Sequence, residues 1–183
     1  MRWYFAISSL FCCSLFGQQP APPVPAMTDQ QIVEVLNAIE QHESRLEPML
    51  AQLHPNDWVA KGAADTYVAQ FASVNQQIRL IETDMSGLAQ RPNQMTECMK
   101  ALFRAQAFHQ TLDSLLGGLR RYQNPALADL IEAVAAEDRS DLDRLQRWVL
   151  ELAAAKDAQF DLVDREAQRC RATLSRQPAG RSK

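Results

Sequence analysis

Apolar residues recur along the chain in alternating steps of three and four positions, beginning at residue 32. The first stripe follows Thr28 and Gln31, which have the spacing of a capping box at a helix start. Its members are Ile32, Val35, Ile39, His42, Leu46, Met49 and Leu53. This rhythm is typical of a helix that buries one face. It predicts a first helix with a kink or a new start at Pro48, where a backbone donor is missing.

Two more stripes of the same rhythm follow. The second is the most regular and contains Tyr67, Phe71, Val74, Ile78, Ile81, Met85 and Leu88. The third contains Met95, Cys98, Leu102, Ala105, His109, Leu112, Leu116 and Leu119, with Phe103 and Phe108 expected to widen its apolar face. Arg91-Pro92 is the stop signal of the second helix, and the third either frays at Gly117-Gly118 or continues to Tyr122. The pattern therefore predicts a second and a third helix of about 25 residues each.

A fourth helical segment starts at Asn124-Pro125, an N-cap followed by proline at the first helical position. Its apolar residues are Leu127, Leu130, Ile131, Val134, Leu142, Leu145, Val149, Leu152, Phe160, Val163, Cys170 and Leu174. The segment is about twice as long as the other three. It either breaks near residues 138–140 or extends beyond its partners.

Together these stripes predict an all-α fold, an antiparallel up-down helical bundle of four long helical segments. The first three helices should be rods of roughly 40 Å, at 1.5 Å per residue. Short connections make sequential neighbours antiparallel. About 150 residues are enough to bury a core as a single domain, so the bundle is assigned to residues 28–175.

The N-terminal residues indicate export. Met1-Arg2 precedes an apolar run from Trp3 to Phe16, which is too short to span a bilayer and is typical of a signal peptide at residues 1–17. The alternative is a lipoprotein acylated at Cys12 or Cys13. Residues 18–27 form a Pro-rich disordered spacer, and residues 176–183 form a disordered basic tail. The mature protein is expected in the periplasm or outside the cell, with no membrane span.

The charge balance bears on the class of partner. The chain carries 19 basic and 22 acidic residues, and only Arg2 among them lies in the expected leader, so the mature net charge is −4. A nucleic-acid partner would require a strongly basic face, so none is expected. Another protein, an envelope component or a second copy of the chain remains as a partner that contacts the helix faces.

Two histidines on core positions suggest a metal site. His42 and His109 lie at similar distances from the starts of two helices that should run in the same direction, and Asp138 and Glu137 fall at that level of the fourth segment. Imidazoles with a carboxylate inside a bundle can bind a transition metal or ligate haem, so the candidate set is His42, His109 and Asp138. The alternative is that both histidines hydrogen-bond acidic residues at the polar edge of the core.

Cys98 and Cys170 would remain in a compartment where disulfides persist. Cys98 lies near the start of the third helix and Cys170 near the end of the fourth segment. A straight fourth segment would place them about 30 Å too far apart, so a disulfide requires this segment to bend back.

The sequence carries no catalytic or cofactor motif. Glu-x-x-His, His-Glu-x-x-His, Cys-x-x-Cys-His and Gly-x-Ser-x-Gly are all absent from it. The chain is therefore predicted to be a non-enzymatic, exported helical bundle without a cofactor, which binds another protein or an envelope component. The alternative function is a metal- or haem-binding bundle that uses the core histidines.

Overall fold

The structure, a computed structural model, describes residues 27–176. Helices are the only regular secondary structure in this part of the chain, which contains no strand, and this confirms the all-α prediction. The helices are α1 (Asp29–Leu50), α2 (Pro55–Ala60), α3 (Thr66–Gln90), α4 (Met95–Tyr122) and α5 (Pro125–Arg176). The predicted count of four was wrong, because the short α2 lies between the first and second long helices.

The start of α1 is set by its cap. The Thr28 side chain accepts a hydrogen bond from the Gln31 backbone, and the Gln31 side chain accepts one from the Thr28 backbone. Pro48 neither breaks nor restarts the helix, since it lies in the last turn and α1 continues to Leu50. The new start is at Pro55, where proline occupies the first turn of α2 and its missing N–H costs nothing.

The four long helices form a closed ring in which α1 packs on α3, α3 on α4, α4 on α5 and α5 on α1. Cross-helix contacts show the directions. Gln70 bonds Ser114 while Asp84 bonds Arg104, so α3 and α4 are antiparallel. Arg120 contacts Asp129, whereas Pro92 accepts a hydrogen bond from Trp148, so α4 and α5 are also antiparallel. Each helix therefore runs opposite to both of its neighbours.

The core between these helices follows the predicted stripes over most of their length. Ile78, Leu102 and Leu112 are buried, and two tryptophans close the ends of the core. The Trp58 indole donates to Gln123 at 2.9 Å at one end, and the Trp148 indole donates to the Pro92 carbonyl at 2.9 Å at the other. These bonds satisfy the only polar group of each buried ring.

Two expected core residues face solvent instead. Phe103 is 58% exposed and Leu130 is 52% exposed. The next residue along the same helix is buried instead: Leu102 beside Phe103, and Ile131 beside Leu130. One residue corresponds to about 100° of rotation around a helix, so an adjacent apolar residue need not share its neighbour's face.

The fourth predicted segment is one unbroken helix, α5, of 52 residues. The polar cluster at residues 137–141 does not interrupt it. The last buried residue described is Leu152. Ala155, Lys156 and Gln159 still border clefts at the ends of the neighbouring helices, and residues 160–175 are exposed except for the half-buried Ala167.

Several sequence-based expectations fall outside residues 27–176. They are the signal peptide, the alternative acylation at Cys12 or Cys13, almost all of the spacer, and residues 177–183 of the basic tail. Within the described residues, none of the helices combines the length and the apolar character needed to cross a bilayer.

Candidate metal centre

Three ionisable side chains meet inside the bundle, each supplied by a different helix. Glu43 comes from α1, His109 from α4 and Asp138 from α5, and all three residues are buried. One potential ligand atom from each lies within 4.8 Å of the ligand atoms of the other two. The antiparallel ring places the middles of these helices at one level, which brings the three residues together.

The contact between His109 and Asp138 is the closest in the cluster. His109 Nε2 lies 2.5 Å from Asp138 Oδ2, within hydrogen-bond distance. The second atoms of both groups, His109 Nδ1 and Asp138 Oδ1, are buried and have no hydrogen-bond partner. The pair therefore has unused ligand capacity inside the protein.

Glu43 has no partner for either carboxyl oxygen, although the residue is fully buried. Burial raises the pKa of Glu43 well above its ordinary value, and the nearby charges of Asp138 and Glu82 raise it further. A proton on Glu43 would allow a hydrogen bond to Asp138, which also contributes to the raised pKa. The cluster thus holds a carboxyl group that its surroundings do not satisfy in the charged form.

His42, the other histidine of the predicted set, is not in this group. It lies at the same level on the outer side of α1, where its Nε2 is 3.3 Å from Asp141 and its Nδ1 is 3.6 Å from Glu137. Arg45 contacts Glu137 at 2.6 Å in the same surface cluster and holds the pKa of Glu137 below its ordinary value. Of the three predicted residues, the structure therefore brings together His109 and Asp138 and replaces His42 by Glu43.

A groove on the surface leads towards the buried cluster. It has a volume of about 370 Å³, runs between α4 and α5, and has His109 in its wall together with Gln106, Gln110 and Arg139. His109 thus faces both the groove and Asp138.

The donor set indicates which ligands suit the cluster. One imidazole and two carboxylates are nitrogen and oxygen donors, which suit borderline or hard divalent ions such as Zn²⁺, Fe²⁺ and Mn²⁺. Haem iron is usually held by His, Met, Cys or Tyr, so a pair of carboxylates is not a haem-binding set. An ion at this site would compete with protons for the three side chains, because ligands bind metal in their deprotonated forms.

The two cysteines of the described chain do not form a disulfide with each other. Cys98 is buried and Cys170 is exposed, and the unbroken α5 does not bend back as a bridge would require. The Cys98 thiol donates to the Pro92 carbonyl at 3.3 Å, and burial raises its pKa to about 11. A thiol with that pKa is protonated at neutral pH and is a poor nucleophile and metal ligand.

The sequence contained a signal for Glu43 that the first stripe did not use. Between Ile39 and Leu46, either residue 42 or residue 43 can continue a three-and-four rhythm. The sequence prediction placed His42 on the buried face of the first helix, because imidazole is less polar than a carboxylate. In the structure the rhythm continues through residue 43 instead of residue 42. The buried residues around this point are Leu36, Ile39, Glu43, Leu46 and Leu50.

The fold and this cluster together define an all-helical bundle with a buried carboxylate–histidine centre. Comparison of the chain with protein-family models, curated proteins and solved structures found no match.

Proposed function

We propose that this protein is an exported, non-enzymatic bundle that binds one divalent transition-metal ion between Glu43, His109 and Asp138. The observation that carries the proposal is the carboxyl group of Glu43, which is fully buried, has no hydrogen-bond partner and faces a histidine–aspartate pair. Export is supported by the apolar run after Arg2. The absence of catalytic motifs from the sequence supports a binding role.

A metal ion accounts for the cost of this cluster. A buried polar group without a partner costs roughly 1–3 kcal/mol, and a charged one costs more. A cation bonded to all three side chains would offset that cost by neutralising both carboxylates. Metal–ligand bonds of about 2.0–2.2 Å would require His109 Nε2 and Asp138 Oδ2, now 2.5 Å apart, to separate around the ion, and Glu43 to approach it. With three protein ligands, the remaining coordination positions would be filled by water, as in open sites.

The test is metal titration of protein that has first been stripped with a chelator. Calorimetry with Zn²⁺ or Mn²⁺ should give one ion per chain, and Co²⁺ should give a visible absorption band from its coordinated form. Glu43→Gln, His109→Gln and Asp138→Asn should each weaken binding at least tenfold. Outer-shell changes alone cost about 10–100-fold in comparable sites.

His42→Gln is the matched control, because His42 lies at the same level of the bundle but belongs to the surface cluster. It should bind metal like the wild type. The proposal fails if the stripped wild-type protein binds none of the three ions. It also fails if His42→Gln abolishes binding while His109→Gln retains it.

A further inference from the structure

Within the described residues, the C-terminal half of α5 is a long helix that no other helix buries. Leu152 is its last buried residue, and residues 153–176 extend about 36 Å at 1.5 Å per residue. We call residues 153–176 the overhang. Three of its large apolar side chains are strongly exposed, Phe160 at 78%, Val163 at 62% and Leu174 at 67%. An apolar patch of this kind is typical of a surface that binds a partner.

The exposed apolar residues of the overhang form one stripe. Phe160, Val163, Ala167, Cys170 and Leu174 follow each other in steps of three, four, three and four, which is the spacing of a coiled-coil seam. The first four lie 18 residues after Leu142, Leu145, Val149 and Leu152, which are buried in the bundle. Eighteen residues are five full helical turns, so the stripe continues the face that α5 buries.

The direction of this stripe restricts the partner. The stripe of the overhang faces the extended axis of the bundle. A partner helix that packs on this stripe therefore lies beyond the end of the bundle. A second copy packed parallel to the first would extend its own α5 into the volume that α1 and α4 already fill. A copy packed antiparallel would carry its bundle away to the far end of the overhang, so only this direction avoids a clash.

The charges of the overhang favour the same direction. Residues 153–164 carry Lys156, Asp157, Asp161 and Asp164 and are net acidic. Residues 165–176 carry Arg165, Glu166, Arg169, Arg171 and Arg176 and are net basic. Antiparallel packing places the acidic half of each helix beside the basic half of the other. Parallel packing would place halves of like charge together, which is unfavourable.

We propose that the partner is a second copy of this chain, and that two overhangs pack antiparallel into a two-fold symmetric homodimer. Such an interface uses the same patch on both subunits, as a two-fold axis requires. Two bundles are then held at opposite ends of a shared two-helix rod. The interface contains no ligand of the metal centre, so the dimer is independent of metal binding.

Sedimentation equilibrium of the chain from residue 18, in chelator, tests the dimer over a concentration series. The wild type should show a reversible monomer–dimer equilibrium. Val163→Glu should shift the dissociation constant at least tenfold towards monomer, because it places a carboxylate in the seam. Leu162→Glu is the matched control. Leu162 is the exposed neighbour about 100° around the helix, outside the stripe, and its substitution should leave the equilibrium unchanged.

Charge reversal tests the direction. Asp157→Arg combined with Asp164→Arg makes the overhang basic throughout, so it should weaken an antiparallel dimer. Adding Arg169→Asp and Arg171→Asp reverses both halves and should restore the dimer. A wild type that is monomeric at every concentration overturns the proposal, as does a dimer that Val163→Glu leaves intact. A dimer that survives the double reversal to arginine overturns the antiparallel direction.

Discussion

Glu43 is the residue at which stability and the proposed function oppose each other. In the folded chain its pKa is raised, chiefly by burial, whereas the unfolded chain releases this proton near the ordinary value of 4.5. Between those two values the folded state binds more protons than the unfolded state. The contribution of this group to stability is therefore complete below pH 4.5 and is lost as the pH rises through the folded pKa.

Glu43→Gln should consequently stabilise the metal-free protein at neutral pH while it weakens metal binding. The amide carries no charge and can donate a hydrogen bond to Asp138, so we expect a gain of about 1–3 kcal/mol at pH 7. The gain should shrink towards pH 4. Urea denaturation in chelator across this range measures it, with the exposed Glu47→Gln on the same helix as the control. A variant less stable than the wild type at pH 7 would contradict this account.

The two cysteines should differ sharply in reactivity. Cys170 is exposed on α5, whereas Cys98 is buried, donates to Pro92 and has a pKa raised to about 11. In dilute native protein at pH 8, a maleimide should modify Cys170 rapidly and Cys98 only after unfolding. Peptide mass spectrometry of a time course identifies the site. Equal labelling rates at both positions would show that the start of α4 opens readily.

At the scale of one helix, α4 contains two adjacent glycines with opposite roles. A Cβ on Gly117 would meet no atom within 4 Å. A Cβ on Gly118 would lie 2.7 Å from Cε1 of Tyr67 and 3.0 Å from Cζ3 of Trp58, so Gly118 allows these rings to approach the α4 backbone. Neither glycine ends the helix. Of the two alternatives that the sequence left open, the structure shows the helix that continues to Tyr122.

Gly117→Ala and Gly118→Ala should therefore change stability in opposite directions. Gly117→Ala should raise the free energy of unfolding by about 0.5–1 kcal/mol through helix propensity alone. Gly118→Ala should lower it by about 1–3 kcal/mol, because two aromatic rings must shift in a packed core. Thermal and urea denaturation of the two variants measure the difference. Equal effects would mean that Tyr67 and Trp58 move aside without cost.

The helices themselves were predictable because their starts depend on local chemistry. Thr28 with Gln31, and Asn124 before Pro125, define helix starts within a few residues of sequence, and both act in the structure as expected. Local sequence defines less well which of two adjacent residues on a helix is the buried one. His42 or Glu43, and Phe103 or Leu102, are alternatives that only the neighbouring helices decide. The missed site residue and the misplaced apolar residues share this cause.

At the scale of the whole molecule, the two halves of α5 have different roles. Its first half completes the ring of four helices and supplies Asp138 to the buried cluster with Glu43 and His109, and its second half forms the overhang. The sequence left open whether this segment breaks, since Glu137, Asp138, Arg139 and Asp141 look like a polar interruption. In the structure Asp138 is buried against His109, and Asp141 pairs with His42 and Arg144. The polar cluster joins α5 to its neighbours, which is why the helix continues through it.

Removal of residues 157–183 should separate these two roles. The truncated chain retains every buried residue of the described bundle, because none lies beyond Leu152. Its unfolding free energy should stay within about 1 kcal/mol of the wild-type monomer, since exposed helix contributes little to a packed core. It should still bind one metal ion at Glu43, His109 and Asp138, but it should sediment as a monomer at all concentrations. Denaturation, metal titration and sedimentation of the same sample check the three expectations together. A truncated protein that unfolds, or that still dimerises, would show that the overhang supports the bundle itself or that another face mediates association.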